Sequence, residues 1–289
     1  VARVDRAAAQ RALLHRGGSP GNWGNLGLWP EAGHGGNTAS AAKPDHAAST
    51  DYAAACRALA LAVGQAAGLQ AGHRVLSLAC GAGDELLLWA AHFGASAVLG
   101  VEHDPAAAQL AQARVAGERG IQVLCRPALA LDAAPAVPGP FDAVVCVDAA
   151  YHLAPRRQLL TAAWQRLRPG GRLAYCDLVL HRQAGAAPWL RAAARLCGVP
   201  AADLLPLPQQ LQRLQALGFA EVQAQALDDA VLDGFVRFVR RQAAAQGYRP
   251  WQPGWRAVAT TAALIPPCRA AGLGYALLSA TRPGAAAAG

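Results

Sequence analysis

The stretch RVLSLACGAGDELL runs an apolar segment into a turn with glycines at 81 and 83, and then into a helical pattern. In an open α/β sheet ligands bind at the carboxyl ends of strands, and glycine there lets a ligand approach the backbone closely. Nineteen residues after Gly83 a second apolar segment ends VLGVEHD. An acid at that point can accept hydrogen bonds from both hydroxyls of a ribose. Glu102 takes this role, as the residue ending the strand, with Asp104 second. The third glycine of the dinucleotide fingerprint is absent, because Leu86 stands in its place. A second group of reactive side chains follows in FDAVVCVDAAYHL, which offers Asp148, Tyr151 and His152. His152 lies just past a strand, at the edge where such a ligand would react, and imidazole exchanges protons near neutral pH. The other histidines show no metal-ligand spacing, and neither a GxSxG elbow nor a GxxxxGK[ST] loop is present.

These residues need elements that bring them to one edge. Strand patterns fall at residues 74–79, 97–102, 121–125, 141–147 and 172–180, separated for the most part by helical patterns at 84–92, 105–117 and 155–167. This alternation predicts a parallel sheet covered by helices on both faces. Ahead of it, apolar spacing predicts a helix over 51–69, with Ser49, Thr50 and Asp51 as candidate caps. Residues 1–50 show little periodicity and read as a tail with one local motif. Beyond His181 the pattern predicts two helices within 186–217, broken at Pro200, Pro206 and Pro208. A strand over 219–226, a helix over 228–246, a helix near 256–265 and a last strand over 273–280 follow. The closing GAAAAG predicts a disordered tail at 284–289.

The chain has 289 residues and 54 % hydrophobic composition, much of it alanine. That length buries a full core without disulfides or metals. No run of 18 apolar residues predicts a membrane span, and the N-terminus lacks the apolar centre of a secretory signal. Seven widely spaced cysteines with no CxxC argue against zinc and against a disulfide framework. Cys125, Cys146 and Cys176 sit in strand patterns, where cysteine behaves as a small buried hydrophobe. The expectation is a reduced, cytoplasmic protein without stable membrane insertion. Net charge is +8, and residues 151–289 carry 16 basic against 6 acidic side chains. Those arginines are scattered, apart from Arg156-Arg157 and Arg240-Arg241, and read as solvated helix faces or as a field for an anionic substrate. They form no stripe with interleaved aromatics, so nucleic acid is not an expected partner.

The glycine turn, read as Ala79-Cys80-Gly81-Ala82-Gly83, resembles the first motif of the class I S-adenosylmethionine-dependent methyltransferases. FDAVVCVDAAYHL resembles that family's fourth-strand motif, and LRPGGRLAYCDLVL its following turn and fifth strand. The resemblance covers residues 50–180 and continues weakly to GLGYALLSATRP. NWGNLGLW ahead of the first helix is similar to the lid segment of members that methylate sugars, polyketides, quinones or tocopherols.

The resemblance implies a doubly wound, Rossmann-like α/β domain over 51–283. Its seven strands are mostly parallel with the last antiparallel, a helical cap spans about 181–217, and a lid lies within 1–50. It implies S-adenosylmethionine as cofactor, held by Ala79, Gly81, Gly83, Glu102, His103, Ala128 and Asp148. Asn25, Trp29 and Tyr151 would face the substrate or form the lid. His152 would remove a proton from a small-molecule hydroxyl, assisted by Asp177 or Asp148. The acceptor's polarity, apolar or anionic, and the oligomeric state are not legible.

Three residues depart from the family pattern. Ser77 replaces the usual strand-one acid, Ala79 the first glycine, and Pro127 stands near the place of an aspartate that faces the adenine. These departures keep open a non-catalytic binding protein of the same fold. A nicotinamide-dependent oxidoreductase shares the strand–glycine–acid arrangement but leaves the RPGGRL turn unexplained.

Overall fold

A computed structural model describes residues 6–30, 51–130, 139–181 and 187–284. Helix α1 (Arg6–Leu14) precedes α2 (Tyr52–Ala66), and the alternating units begin after it with β1 (Arg74–Leu78), α3 (Asp84–Phe93), β2 (Ala97–Glu102), α4 (Pro105–Val115), β3 (Ile121–Cys125) and β4 (Phe141–Cys146). Then come α5 (Arg156–Arg166), β5 (Leu167–Leu180), α6 (Pro188–Leu196), α7 (Leu207–Ala216), β6 (Ala220–Ala226), α8 (Gly234–Gln246), α9 (Arg256–Ala270) and β7 (Leu273–Thr281). The seven strands form one sheet in the order β3-β2-β1-β4-β5-β7-β6. Neighbours pair in parallel except at β7, which runs antiparallel to both β5 and β6. The expected doubly wound sheet with an antiparallel last strand is therefore present.

Alternation along each strand divides the core between the two faces of the sheet. Val75, Val98, Ala143 and Val145 join α2, α3, α8 and α9 on one face. Leu76, Leu99, Val144 and Cys146 join α5 and α7 on the other. Chain order reverses between β1 and β4, because β1 leads outward to β2 and β3 while β4 leads the other way. This is the topological switch point, and the loops leaving β1, β2 and β4 open into a crevice there.

The local signals mostly explain the element ends. The Asp51 carboxylate caps α2 by accepting from the Ala53 amide, and Asp104 caps α4 ahead of Pro105. Several expectations need correction. Residues 6–14 are helical rather than tail: the alanine-rich α1 has high intrinsic propensity and docks on α8, where Gln242 Nε2 donates to the carbonyls of Leu13 and Arg16. Strand β5 starts at Leu167, which pairs with Phe141; residues 168–171 (RPGG) then bulge out at a register shift, and pairing with β4 resumes at Arg172, opposite Ala143. Pro208 sits in the first turn of α7, where a missing N–H costs nothing, and does not break the helix. Helix α9 continues through Pro266 and Pro267 to Ala270. The helix expected over 228–246 begins as a π turn, Asp229–Asp233, before α8. Cys146 and Cys176 are buried as expected, but Cys125 is exposed because β3 is an edge strand. Among the described residues no helix is long and apolar enough to cross a membrane. The segment 31–50, the first residues of the cap and all but Gly284 of the expected tail at 284–289 lie outside the described residues.

Candidate active site

The turn after β1 is built from left-handed backbone. Ala79, Gly81 and Gly83 have φ of 56°, 55° and 84°. A Cβ on Gly81 would meet nothing within 4 Å, whereas one on Gly83 would lie 3.0 Å from the Ala111 methyl. Gly81 thus leaves its backbone open to a ligand, and Gly83 lets α4 pack against the turn. Ala79 has no such freedom: a left-handed L-residue costs about 1–2 kcal/mol, of which glycine would return some as unfolded-chain entropy. Ala79→Gly should therefore raise stability by about 0.5–1 kcal/mol, read as a melting-temperature increase of about 2 °C.

Glu102 closes the turn from below. Its Oε2 accepts from Gly81 N at 2.9 Å, and its Oε1 accepts from the amides of His103 (2.8 Å) and Asp104 (2.9 Å). A carboxylate offers about two acceptor positions per oxygen; Oε1 also lies 3.0 Å from His103 Nδ1, so Oε2, with its one donor, keeps about one for a ligand hydroxyl rather than the two a full ribose bidentate would use.

At the end of β4, Asp148 also has a positive φ of 52°. Its buried carboxylate accepts from Tyr275 Oη (2.5 Å), Tyr151 Oη (2.8 Å) and Leu26 N (2.5 Å). Burial pushes its pKa up, and the three donors partly counter that. Through Leu26 this residue ties the N-terminal segment to the sheet.

That segment is closed over the crevice by many contacts. Asn25 Nδ2 donates to Cys56 O, Asn25 Oδ1 accepts from Gly27 N, and Tyr52 Oη donates to Asn25 O at 2.6 Å. Trp29 is buried, donates from Nε1 to Leu26 O and stacks on Phe238 with ring centroids 4.7 Å apart. Room for its ring exists because residue 234 is glycine: a Cβ there would sit 2.5–2.6 Å from Trp29 Cδ1, Cβ and Cγ. Gly234→Ala should expel the ring, lower stability by about 1–3 kcal/mol and speed cofactor dissociation, measurable by thermal unfolding and stopped-flow release.

Beneath the segment lies a cavity of about 810 Å³, within the size range of small-molecule sites. One end is lined by Ala79, Gly81, Asp84, Glu85, Glu102, His103 and Asp104, the middle by Asn25, Asp148, Tyr151 and His152, and the far end by Leu190, Cys197, Val199, Leu264 and Ile265 from the cap and α9. Four expected site residues do not line it. Gly83 serves the turn as described, and Trp29 is an anchor of the segment. Ala128 is packed in the core on the α5 face of the sheet.

Asp177, expected beside the base, has a different partner. Its buried carboxylate is held bidentately by Arg156, Nε to Oδ2 at 2.7 Å and Nη2 to Oδ1 at 2.9 Å. Arg156 Nη1 in turn donates to the carbonyls of Ala150 and Leu153, which flank the short turn that ends in His152. Arg156, read from sequence as part of a surface pair, is 2 % exposed. Asp177 thus reaches His152 only through Arg156 and this turn.

Sequence reasoning also missed Glu85, Tyr275 and Leu26. Glu85 had a signal, since it lies three and four residues before Leu88 and Trp89 on the apolar stripe of α3. Tyr275 had none, because a tyrosine in a core strand reads as packing.

The arrangement is that of a doubly wound α/β nucleotide-binding domain with an acid-lined pocket at its switch point. A family model described as a methyltransferase domain matches residues 75–171. The erythromycin 3''-O-methyltransferase of Saccharopolyspora erythraea is 25 % identical over 248 residues, 81 % of this chain and 74 % of that one. Among solved structures, the SAM-dependent methyltransferase of Thiobacillus denitrificans in complex with S-adenosyl-L-homocysteine aligns at 22 % identity and TM-score 0.54, covering 77 % of this chain and 90 % of that one. The [4+2]-cyclase SpnF aligns at 18 % identity and TM-score 0.70, covering 96 % and 92 %. Residues 75–171 thus match a methyltransferase domain, and the comparisons support an S-adenosylmethionine-dependent methyltransferase.

The pocket fits that cofactor on its own terms. Gly81 leaves backbone open, Glu102 keeps about one acceptor position, and Asp84 Oδ2 is buried without a partner in the cavity wall. The glycine turn, Glu102 and the Asp84–Glu85 pair are the residues that would hold it. When bound, it supplies a methyl group activated on a sulfonium.

Proposed function

We propose that the protein methylates a hydroxyl oxygen of a small, largely apolar molecule, with His152 as general base. The observation that carries the assignment is the His152 contact: Nδ1 lies 2.9 Å from the Gly198 carbonyl oxygen. A carbonyl only accepts, so the proton of the neutral ring sits on Nδ1 and the lone pair is left on Nε2. The ring is oriented by the cap and lines the cavity where the acid-lined end meets the apolar end. Substrate alignment by the closed segment and the cap supplies much of the rate, since the reaction is an in-line displacement. Asp148 is the second acid of this region; with three donors already bound, it positions Tyr151 and Leu26 rather than taking the proton. The cap within 181–217 forms the acceptor side, lined by Leu190, Cys197 and Val199, which favours an apolar acceptor over the anionic alternative. The erythromycin methyltransferase, named for a sugar hydroxyl reaction by its 3''-O designation, agrees with an oxygen acceptor. The test is a screen of hydroxylated apolar molecules with labelled cofactor, comparing each with its deoxy analogue. Turnover of the deoxy compounds at equal rate would refute the oxygen assignment.

A further inference from the structure

Among the described residues five carboxyl groups line the cavity, and four of them already hold two or more donors. Asp84 accepts from Asn22 N and pairs with Arg114 at 2.9 Å. Glu102 accepts three backbone amides. Asp104 caps α4, and Asp148 holds two tyrosines and Leu26. Glu85 is different. Among the described residues its one donor is the Ser77 hydroxyl, which is itself held by Trp89 Nε1 at 3.3 Å. Glu85 is 6 % exposed and opens on the cavity. The groups acting on it are the acids Glu102 and Asp84, with the thiols Cys80 and Cys146 nearby, and no cation is among them.

A buried carboxyl among acids with one neutral donor cannot hold its charge unless a ligand supplies the opposite one. The ligand of this pocket is cationic, carrying a sulfonium and an ammonium group. We propose that Glu85 is the counter-charge for the cationic end of the cofactor, and that it gives up its proton to solvent as the cofactor binds. Ser77 then has a function: a hydroxyl in β1 orients an acid supplied from α3, in place of an acid on the strand itself. Burial raises the Glu85 pKa from 4.5 to about 8, against the Ser77 hydrogen bond, so the group is protonated at neutral pH before binding. The inference concerns the cofactor only and stands apart from the identity of the acceptor.

The experiment is calorimetric titration of the full chain with S-adenosylmethionine, in buffers of different ionisation enthalpy, between pH 5.5 and 7.0. That range keeps the cofactor's own amino group protonated. Binding should release close to one proton, and affinity should rise about tenfold per pH unit, the slope of a single linked proton. Glu85→Gln preserves shape and the acceptor for Ser77. It should abolish the release, flatten the profile and weaken binding at pH 7.0 by about tenfold or more. His103, His152 and Asp148 also line the cavity, so His103→Gln, His152→Gln and Asp148→Asn are measured in parallel and should keep the slope. Release that persists in a folded Glu85→Gln protein, or that vanishes in one of the other three instead, overturns the proposal. So does binding by the wild type with no proton released. Absence of any binding would remove the cofactor assignment itself, a separate failure. S-adenosylhomocysteine, which lacks the sulfonium, shows which cation is met: release with both ligands assigns the ammonium, release with S-adenosylmethionine alone the sulfonium.

Discussion

His152→Ala is expected to lower kcat for methyl transfer to a hydroxyl acceptor by about 10²–10⁴-fold, the usual contribution of a positioned general base. The cofactor dissociation constant should change little. The imidazole is exposed to the cavity and bonds to Gly198 O, so its loss orphans no buried group and stability should stay within about 0.5 kcal/mol. Retention of activity within a few-fold would remove His152 from the chemistry. The cavity would then act mainly by alignment, which is worth several kcal/mol without any base.

How far the sequence carries this reading differs between the fold and the site. Strands β2 and β3 fall on the residues expected from apolar runs bounded by turn signals, and β1 and β4 end within a residue of expectation, because the alternating pattern is local. Glycines 81 and 83 and Glu102 were legible for the same reason: strand, turn and acid lie within thirty residues of one another. What was not legible depends on partners distant in the chain. Tyr275 reaches Asp148 from 127 residues away and Leu26 from 122, and no local pattern marks either. The Arg156-Arg157 pair looked like a solvated face, yet one of the two is buried because Asp177 and Asp203 meet it there. Trp29 was expected to face the substrate or form the lid; only its fit against Gly234 and Phe238, which no local pattern marks, makes it an anchor of that segment. Helix α1 was missed because its alanines give propensity without an amphipathic face, and its docking rests on Gln242, far along the chain.

Asp177→Asn is expected to cost about 3–5 kcal/mol of stability, because it leaves the Arg156 guanidinium buried without its counter-charge. Against a total of about 5–15 kcal/mol this is a large share, and the midpoint in a urea titration should fall accordingly. The same substitution discriminates between two roles. If Asp177 acted directly on the base, kcat would fall while stability held, as in a triad whose acid is lost. The observed contacts predict the reverse order. Arg156 spans Asp177, the Ala150 and Leu153 carbonyls, and through its backbone amide the Asp203 carboxylate at 2.7 Å, which Arg213 also holds at 2.8 Å. Loss of the counter-charge frees the guanidinium to leave this cluster. The turn carrying His152 then loses its restraint, and kcat drops only as far as the turn moves. Arg156→Lys should not rescue the clamp, since an ammonium cannot bridge a carboxylate bidentately and two carbonyls together. Replacing both partners with leucine should recover part of the stability lost by Asp177→Asn, because no unpaired charge then remains buried. It should not recover kcat to the same extent, because the carbonyls of Ala150 and Leu153 would still lack the donor that fixes the turn. Stability and turnover recovering together would mean that packing alone, and not the guanidinium, positions His152.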